Sequence, residues 1–399
     1  MSADSAPLLR RLVAGPTSYA EERLILELVA AASQAELDAM LGDDRFVDGL
    51  LASLKDRRDG SQHRQELLEL LIGRRLPELT LANRVRLVHA LQTGRTGLGA
   101  ENWVAQILLA HHGLQLTDLK NELNSSSSFH DLERLIFADI DDEGVRRQIL
   151  NHLAAEAGAV GILGCKVLSD IDDTALCTLK DTRFPTGVLY PGVVAFWEAL
   201  DCGPTDAPVS IGNLTFVTAR PGDALGLVEN RTRATLRKAG IADNSVLTGG
   251  FASITSHDAM AAKKLQNVSH YRQLFGEYRL VFIGDSGQGD VTAGLAMYQS
   301  FPEALAAVFI HDVVGTPLEQ RDDYAKQGIW FFDSYVGAAH RAHHLGLISD
   351  DGLSRVITET RAGFDAINWD TQAQEQRMRA LLDRDVADSG SGIGSVPAR

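Results

Sequence analysis

The period of the hydrophobic pattern changes near residue 160. From Glu21 to about Ala157 apolar residues recur three and four apart. Leu24, Leu28 and Val29 share one face, as do Leu67, Leu68, Leu71 and Ile72, and later Val145, Ile149 and Leu153. That spacing predicts amphipathic helices. Strand signals are almost absent, so residues 1–160 are expected to form an all-helical domain, a bundle or a stack of helix pairs. Weak self-similarity between Glu21–Leu54 and Asn102–Ile136 suggests a repeat. Ser125 to Ser128, ahead of Phe129-His130-Asp131-Leu132, supply N-cap candidates.

Beyond Gly161 and Gly164 the period shortens. Lys166–Leu168, Leu214–Val217, Ser245–Leu247, Leu280–Ile283, Ala307–Ile310 and Ile329–Phe332 read as buried strands. Helical stretches lie between most of them, notably Val228–Lys238 and Lys264–Leu274. Alternation of this kind implies a parallel sheet with helices on both faces, and ligands then bind beyond the carboxyl ends of the strands. An α/β domain is expected over 161–385, with Gln372 to Arg384 a charged surface helix. The Ser- and Gly-rich stretch 386–399 reads as a disordered tail.

Composition narrows the function classes. Charged residues make up 23% and the apolar set 45%, as in ordinary globular proteins. A formal net charge of −15 argues against a nucleic-acid partner, because phosphate backbones recruit basic faces. Cys165, Cys177 and Cys202 show no C-x-x-C spacing, so neither a disulfide framework nor a zinc knuckle is indicated. No window reaches the roughly 18 uninterrupted apolar residues of a transmembrane segment, and Met1 to Arg11 lacks the apolar core of a signal peptide. A cytoplasmic location is expected, peripheral to a membrane if the substrate is a lipid.

Two acidic stretches follow candidate strands: Ser169-Asp170-Ile171-Asp172-Asp173-Thr174 and Gly284-Asp285-Ser286-Gly287-Gln288-Gly289-Asp290. If those strands are parallel neighbours, Asp170, Asp172, Asp285 and Asp290 meet at one sheet edge. Like charges so close repel unless a cation joins them, and all-oxygen ligands suit Mg²⁺. A carboxylate such as Asp170 can attack phosphorus. Asp172, one residue removed on an extended segment, can protonate a leaving alcohol and then activate water. Thr174 can hydrogen-bond within the loop. Phe216-Val217-Thr218-Ala219-Arg220-Pro221 puts a hydroxyl and a guanidinium at another strand's end, and Lys263 or Lys264 opens a helix with a fixed positive charge. Lys180, Arg183 and Arg220 are candidates for an anionic ester head group.

One stretch imitates the central motif. Ala138-Asp139-Ile140-Asp141-Asp142-Glu143 follows a helical pattern and leads into Val145-Arg146-Arg147-Gln148-Ile149, so its acids read as helix caps and first-turn charges. Gly284-Asp285-Ser286-Gly287 also matches the nucleophile segment of trypsin-like serine proteases, but α/β alternation contradicts that all-β fold. The histidines of this half, His257, His270 and His311, form no metal-ligand pair and read as surface or packing residues.

Together these motifs resemble the haloacid dehalogenase superfamily, and with Tyr190-Pro191-Gly192 and Thr218-Ala219-Arg220-Pro221-Gly222-Asp223 they resemble its actin-patch-associated phosphatidate phosphatase branch, over about residues 166–314. The resemblance implies a Rossmann-like parallel sheet. It implies Asp170 as nucleophile and Mg²⁺ ligand, and Asp172 as general acid/base with its carbonyl on the metal. Thr218 becomes the phosphate-binding hydroxyl, Asp285 completes the metal shell, and Asp290 supports the metal or the lysine. Lys264 is favoured over Lys263, because Phe275-Gly276-Glu277 then stands where the branch has Phe-Pro-Glu. Gly276 and Gly289 depart from the branch pattern without touching the chemistry. The expected activity is hydrolysis of a phosphate monoester through an aspartyl-phosphate, with membrane phosphatidate the favoured substrate. A soluble or protein phosphate is the alternative, as is a non-catalytic protein that binds a partner through the helical domain.

Overall fold

Serine caps set where the first helices begin. Ser18 and Ser33 each accept from the backbone N–H three residues on, and Glu21 and Glu36 each accept in return from the serine N–H at 2.8 Å. These reciprocal bonds satisfy two otherwise orphaned donors per helix end. The computed structural model describes residues 5–56, 60, 62–92, 98–125, 132–178, 180–207, 214–221, 245–249 and 257–390. It divides into two compact units, Met1–Asn124 with Ser128–Ala159, and Ser125–Ser127 with Val160–Arg399.

The first unit is helical, from Ser5–Val13 through Glu143–Val160. Leu67, Leu68, Leu71 and Ile72 are buried together, although the helix widens to a π-turn over Glu69–Arg74. Val145, Ile149 and Leu153 are buried as their spacing requires. Helix Tyr19–Ala31 is rotated from the expected face: Leu24 is exposed, and Glu22, Ile25, Leu26 and Val29 are buried. The cause is a buried polar pair, His63 Nδ1 lying 2.6 Å from Glu22 Oε2, which draws an acid onto the apolar face. Asp142 caps Glu143–Val160 by accepting from Val145 N–H at 2.8 Å, and Glu101 accepts from the Asp141 and Asp142 N–H groups. The imitation motif is thus spent on capping. Ser126 to Asp131 lie outside the described residues.

The second unit is built on six parallel strands: β1 (Gly164–Ser169), β2 (Leu214–Pro221), β3 (Ser245–Gly249), β4 (Tyr278–Asp285), β5 (Leu305–His311) and β6 (Ile329–Phe332). Their order is β3-β2-β1-β4-β5-β6. The last six residues of β4 are buried without a break, as expected of a strand covered on both faces. Helices Val193–Cys202, Tyr335–His344 and Asp350–Asp365 share one hydrophobic cluster with Val167, Val281, Ile283 and Phe309. Helices His257–Leu274 and Asp290–Ser300 pack on strands of the same sheet. The expected helix Val228–Lys238 lies outside the described residues.

Two expectations at the C-terminal end need correction. Helix Gln372–Gly390 runs past Arg384 into the stretch read as tail, and it is not a mere surface helix. Met378 and Leu382 are buried in the core cluster, with Leu381 and Val386 packed against it. Apolar residues at 378, 382 and 386 form a seam four apart, which the surrounding charges obscured.

Chain order reverses at β1: β2 and β3 extend to one side, and β4 then returns to β1's other edge. A crevice opens at the carboxyl ends of strands at such a switch point. Two neighbouring glycines test how tightly the covering helices are held. Gly192 has φ +86°, and a Cβ there would collide with Thr360 Oγ1 and press on Tyr335. Gly187 has the same φ but open space around it. Gly187→Ala is expected to cost only the left-handed strain, about 1–2 kcal/mol. Gly192→Ala adds overpacking, a further ~1–3 kcal/mol. Urea denaturation of both variants measures the difference, and equal losses would refute the packing assignment.

Candidate active site

Hydrogen bonding carries β1 one residue beyond its last strand position. The Asp170 N–H donates to Ile283 O at 2.8 Å, so Asp170 leaves the sheet beside Gly284 and Asp285. The next four residues turn sharply. Asp173 adopts φ +55°, a left-handed conformation that costs a non-glycine residue energy unless its surroundings fix it. They do: its carboxylate accepts from Thr178 N–H at 2.8 Å and Lys180 N–H at 2.5 Å. Its carbonyl lies 2.8 Å from His311 Nδ1, and Tyr335 OH donates to Thr174 O at 2.7 Å.

Opposite this turn, β4 ends at Asp285 and helix Asp290–Ser300 starts five residues later. Asp285 Oδ1 accepts from Gly287 N–H at 2.7 Å and Oδ2 from Gln288 Nε2 at 3.2 Å, which holds the loop closed. The Asp285 N–H donates to Asp290 Oδ2 at 3.2 Å. Gly284 permits this approach, because a Cβ at that position would collide with the Asp290 carboxylate.

Asp170, Asp285 and Asp290 offer oxygens within 4.8 Å of one another, and all three residues are buried. Lys264, from helix His257–Leu274, enters between two of them, its Nζ 2.8 Å from Asp170 Oδ1 and 2.5 Å from Asp290 Oδ1. Lys263 lies outside the cluster, half-buried and bonded to Gln266. Burial raises the Asp170 carboxyl to about 7; Lys264 opposes that rise, and the charges of Asp290 and Asp172 add to it. Burial, then Asp290 and Asp170, push Asp285 well above the ordinary carboxylate range. Burial lowers the Lys264 ammonium, but Asp170 and Asp290 outweigh it and hold the charge firmly on.

One ammonium among three carboxylates leaves a deficit of positive charge in a desolvated site, which is costly unless a cation supplies it. Asp170 Oδ2 is buried with no hydrogen-bond partner. An orphaned carboxylate oxygen and an all-oxygen donor set fit a hard divalent ion. The expected four converging acids narrow to three, however. The Asp172 carboxylate is not among them; its Oδ1 accepts from Thr178 Oγ1 at 2.8 Å.

The remaining candidates divide. Thr174 is fully buried and its Oγ1 has no partner. The exposed side chain of Lys180 lies along Gly287, at the edge of the acid cluster. Arg183 is committed elsewhere: its guanidinium holds both Asp181 oxygens, at 3.0 and 2.9 Å, and lies 2.9 Å from His311 Nε2. It is therefore a brace and not a free head-group ligand. Thr218 and Arg220 fall on β2, but their side chains lie outside the described residues.

Sequence reasoning passed over that brace. His311 is buried between Arg183 and the Asp173 carbonyl, and burial with the adjacent guanidinium lowers it to about 4. It is a neutral prop for the left-handed residue. Asp312, next in the chain, binds Ser286 Oγ at 2.8 Å and the N–H of Thr316 at 2.7 Å, which ties the loop after β5 to the loop after β4. The available signal was position: both residues stand at the carboxyl end of β5.

Comparison with known proteins bears on this site alone. The family model described as phosphatidate phosphatase APP1, catalytic domain, matches residues 165–312. That span runs from β1 through the acid cluster to the loop after β5. No curated protein and no solved structure gives a match. The segment 165–312 is thus similar to the catalytic domain of the phosphatidate phosphatase APP1 family, a family of phosphoric monoester hydrolases.

Proposed function

We propose that the protein is a Mg²⁺-dependent phosphatase that hydrolyses a phosphate monoester through an aspartyl-phosphate, with a phosphatidate-type lipid as substrate. The observation that carries this reading is the convergence of Asp170, Asp285 and Asp290 with Lys264 at the sheet's switch point. Asp170, Asp285 and Asp290 would hold the ion, joined by the Asp172 carbonyl as the family resemblance implies. When bound, the ion supplies Lewis-acid stabilisation of the phosphoryl oxygens.

The residues of the chain supply the rest. One oxygen of the Asp170 carboxylate forms the bond to phosphorus as the bond from phosphorus to the ester oxygen breaks. Asp172 gives its proton to the departing alkoxide, then takes one from the water that cleaves the acyl phosphate and releases inorganic phosphate. The Thr178 hydroxyl orients that carboxyl. Lys264 holds Asp170 and offsets phosphate charge, with the Thr218 hydroxyl as a further phosphate donor. Thr174, Lys180 and Arg220 complete the surroundings of the ester.

A lipid substrate draws support from the family's name and from the segment beyond β5, where Val314 in the loop is 57% exposed and Leu318, at the start of helix Leu318–Ala325, is 77% exposed. Among the described residues no helix is long and apolar enough to cross a membrane. The enzyme would work from the water side on a bilayer it contacts peripherally, in the cytoplasm. The helical unit would serve targeting or a protein partner.

Phosphate release from phosphatidate vesicles and from an aryl phosphate tests the assignment. Asp170→Asn is expected to lower turnover of both by about 10³-fold or more, and Asp172→Asn by about 10²–10⁴-fold. Turnover surviving in Asp170→Asn would remove that residue as nucleophile.

The acid cluster also predicts a pH signature. Asp170 holds its proton in the folded state up to about 7, whereas the unfolded chain releases it near 3.8. The metal-free fold therefore loses stability as pH rises through that window. A divalent ion favours the ionised acids, so its stabilising effect should grow over the same range. Thermal unfolding with and without MgCl₂ is expected to show a larger upward shift at pH about 8 than at about 5. A shift independent of pH, or one unchanged in Asp285→Asn, would contradict the site.

A further inference from the structure

The helical unit holds a second cluster of metal-ligating side chains, chemically unlike the acid cluster. His112, His152 and Glu156 each offer one ligand atom, all within 4.8 Å of one another. We propose that these three residues form a binding site for a borderline transition-metal ion, Zn²⁺, which clamps the start of helix Gly113–Ser125 to helix Glu143–Val160.

Sequence spacing supplies half of the site. His152 and Glu156 stand four apart on one helix, so both side chains leave the same face. His112 immediately precedes the other helix and comes from a different turn of the chain. The rings of His112 and His152 meet edge to face, centroids 5.2 Å apart. Two imidazoles and a carboxylate match the nitrogen and oxygen preference of Zn²⁺ and leave its fourth position open to water. Mg²⁺, which favours oxygen donors, has no comparable affinity for such a set.

The ligands are held by outer contacts of the kind that orient metal sites. His152 Nε2 lies 2.9 Å from the His111 carbonyl, which, as the proton-bearing nitrogen, leaves Nδ1 with its lone pair available. Glu156 Oε2 accepts from the Gly113 N–H at 2.8 Å, and Oε1 lies 2.8 Å from His112 Nδ1. Those bonds keep Glu156 below its ordinary range, so it is an anion ready to ligate. The backbone leading into helix Gly113–Ser125 is fixed in turn by the buried His111, whose ring lies 2.6 Å from both Ile107 O and Arg84 NH1. Ligand atoms around a tetrahedral Zn²⁺ stand roughly 3.3 Å apart at bond lengths near 2.0 Å. Exposed His112 is the ligand with freedom to close the remaining distance. Binding at His112 Nδ1 would displace its hydrogen bond to Glu156, the neutral ring carrying its proton on Nε2 instead.

The test uses the full chain, dialysed against Zn²⁺ in excess Mg²⁺ so that an all-oxygen site does not contribute, with bound zinc measured by elemental analysis. One Zn²⁺ per chain is expected, with loss of that ion in His152→Ala and in His112→Ala and at least tenfold weaker retention in Glu156→Gln. Metal-free thermal midpoints close to wild type establish that the variants fold, since the two histidines are not core residues. Zn²⁺ should raise the wild-type midpoint and leave that of the double histidine variant unchanged. Co²⁺ in place of Zn²⁺ should give visible ligand-field bands that vanish in His152→Ala. Zinc retained undiminished by the double variant, or no zinc retained by wild type, overturns the proposal.

Discussion

One ammonium group, Lys264 Nζ, stands between Asp170 and Asp290 in a region closed to water, and the geometry of the catalytic half depends on it. Removing water from three carboxylates costs several kcal/mol per ion unless charge and hydrogen bonds answer each one. The lysine answers two of them in part. Backbone and side-chain donors of the 287–288 loop answer Asp285. The residual imbalance is one that a further cation would offset, as the proposed function requires. A pair of oppositely charged residues would be electrostatically quieter and chemically idle.

Around that centre the fold acts as a set of braces. Tyr335, His311 and the loop amides of Thr178 and Lys180 grip the turn that contains Asp173, from the covering helix, from β5 and from the chain itself. Asp181 and Arg183 form the next shell, and the Tyr190 hydroxyl donates to the same Asp181. Burial makes these contacts rigid, and neutral His311 can accept from Arg183 while donating to a carbonyl. The left-handed residue is therefore held from several directions, as a strained position in a catalytic loop must be.

The parts of this arrangement that follow from short-range pattern were legible in the sequence. All six strands appear where apolar runs fall between breakers, and Asp170, Asp285 and Asp290 meet because each sits at a strand's end or a helix start, whereas Lys264 reaches them from within helix His257–Leu274, which begins before the expected Lys263 or Lys264. What was illegible depended on partners distant in sequence. Glu22 turns its helix away from the expected face because His63 pairs with it in the interior. Arg183 looked like a free cation because nothing local reveals that Asp181 and His311 claim it. Asp172 was grouped with the other acids by spacing, yet the loop's curvature gives its carboxylate to Thr178. Helix Gln372–Gly390 hid a buried seam behind charged neighbours.

The placement of β1 between β2 and β4 bears on how the protein comes to exist in a cell. Asp170 directly follows the first strand of the sheet, but the neighbour that fixes its backbone is not synthesised until Tyr278–Asp285 has been made. Until then a growing polypeptide carries an apolar strand with one edge bare, the condition that slows folding and invites wrong pairing. Protection of that edge during translation becomes part of what the chain, or a chaperone, must supply.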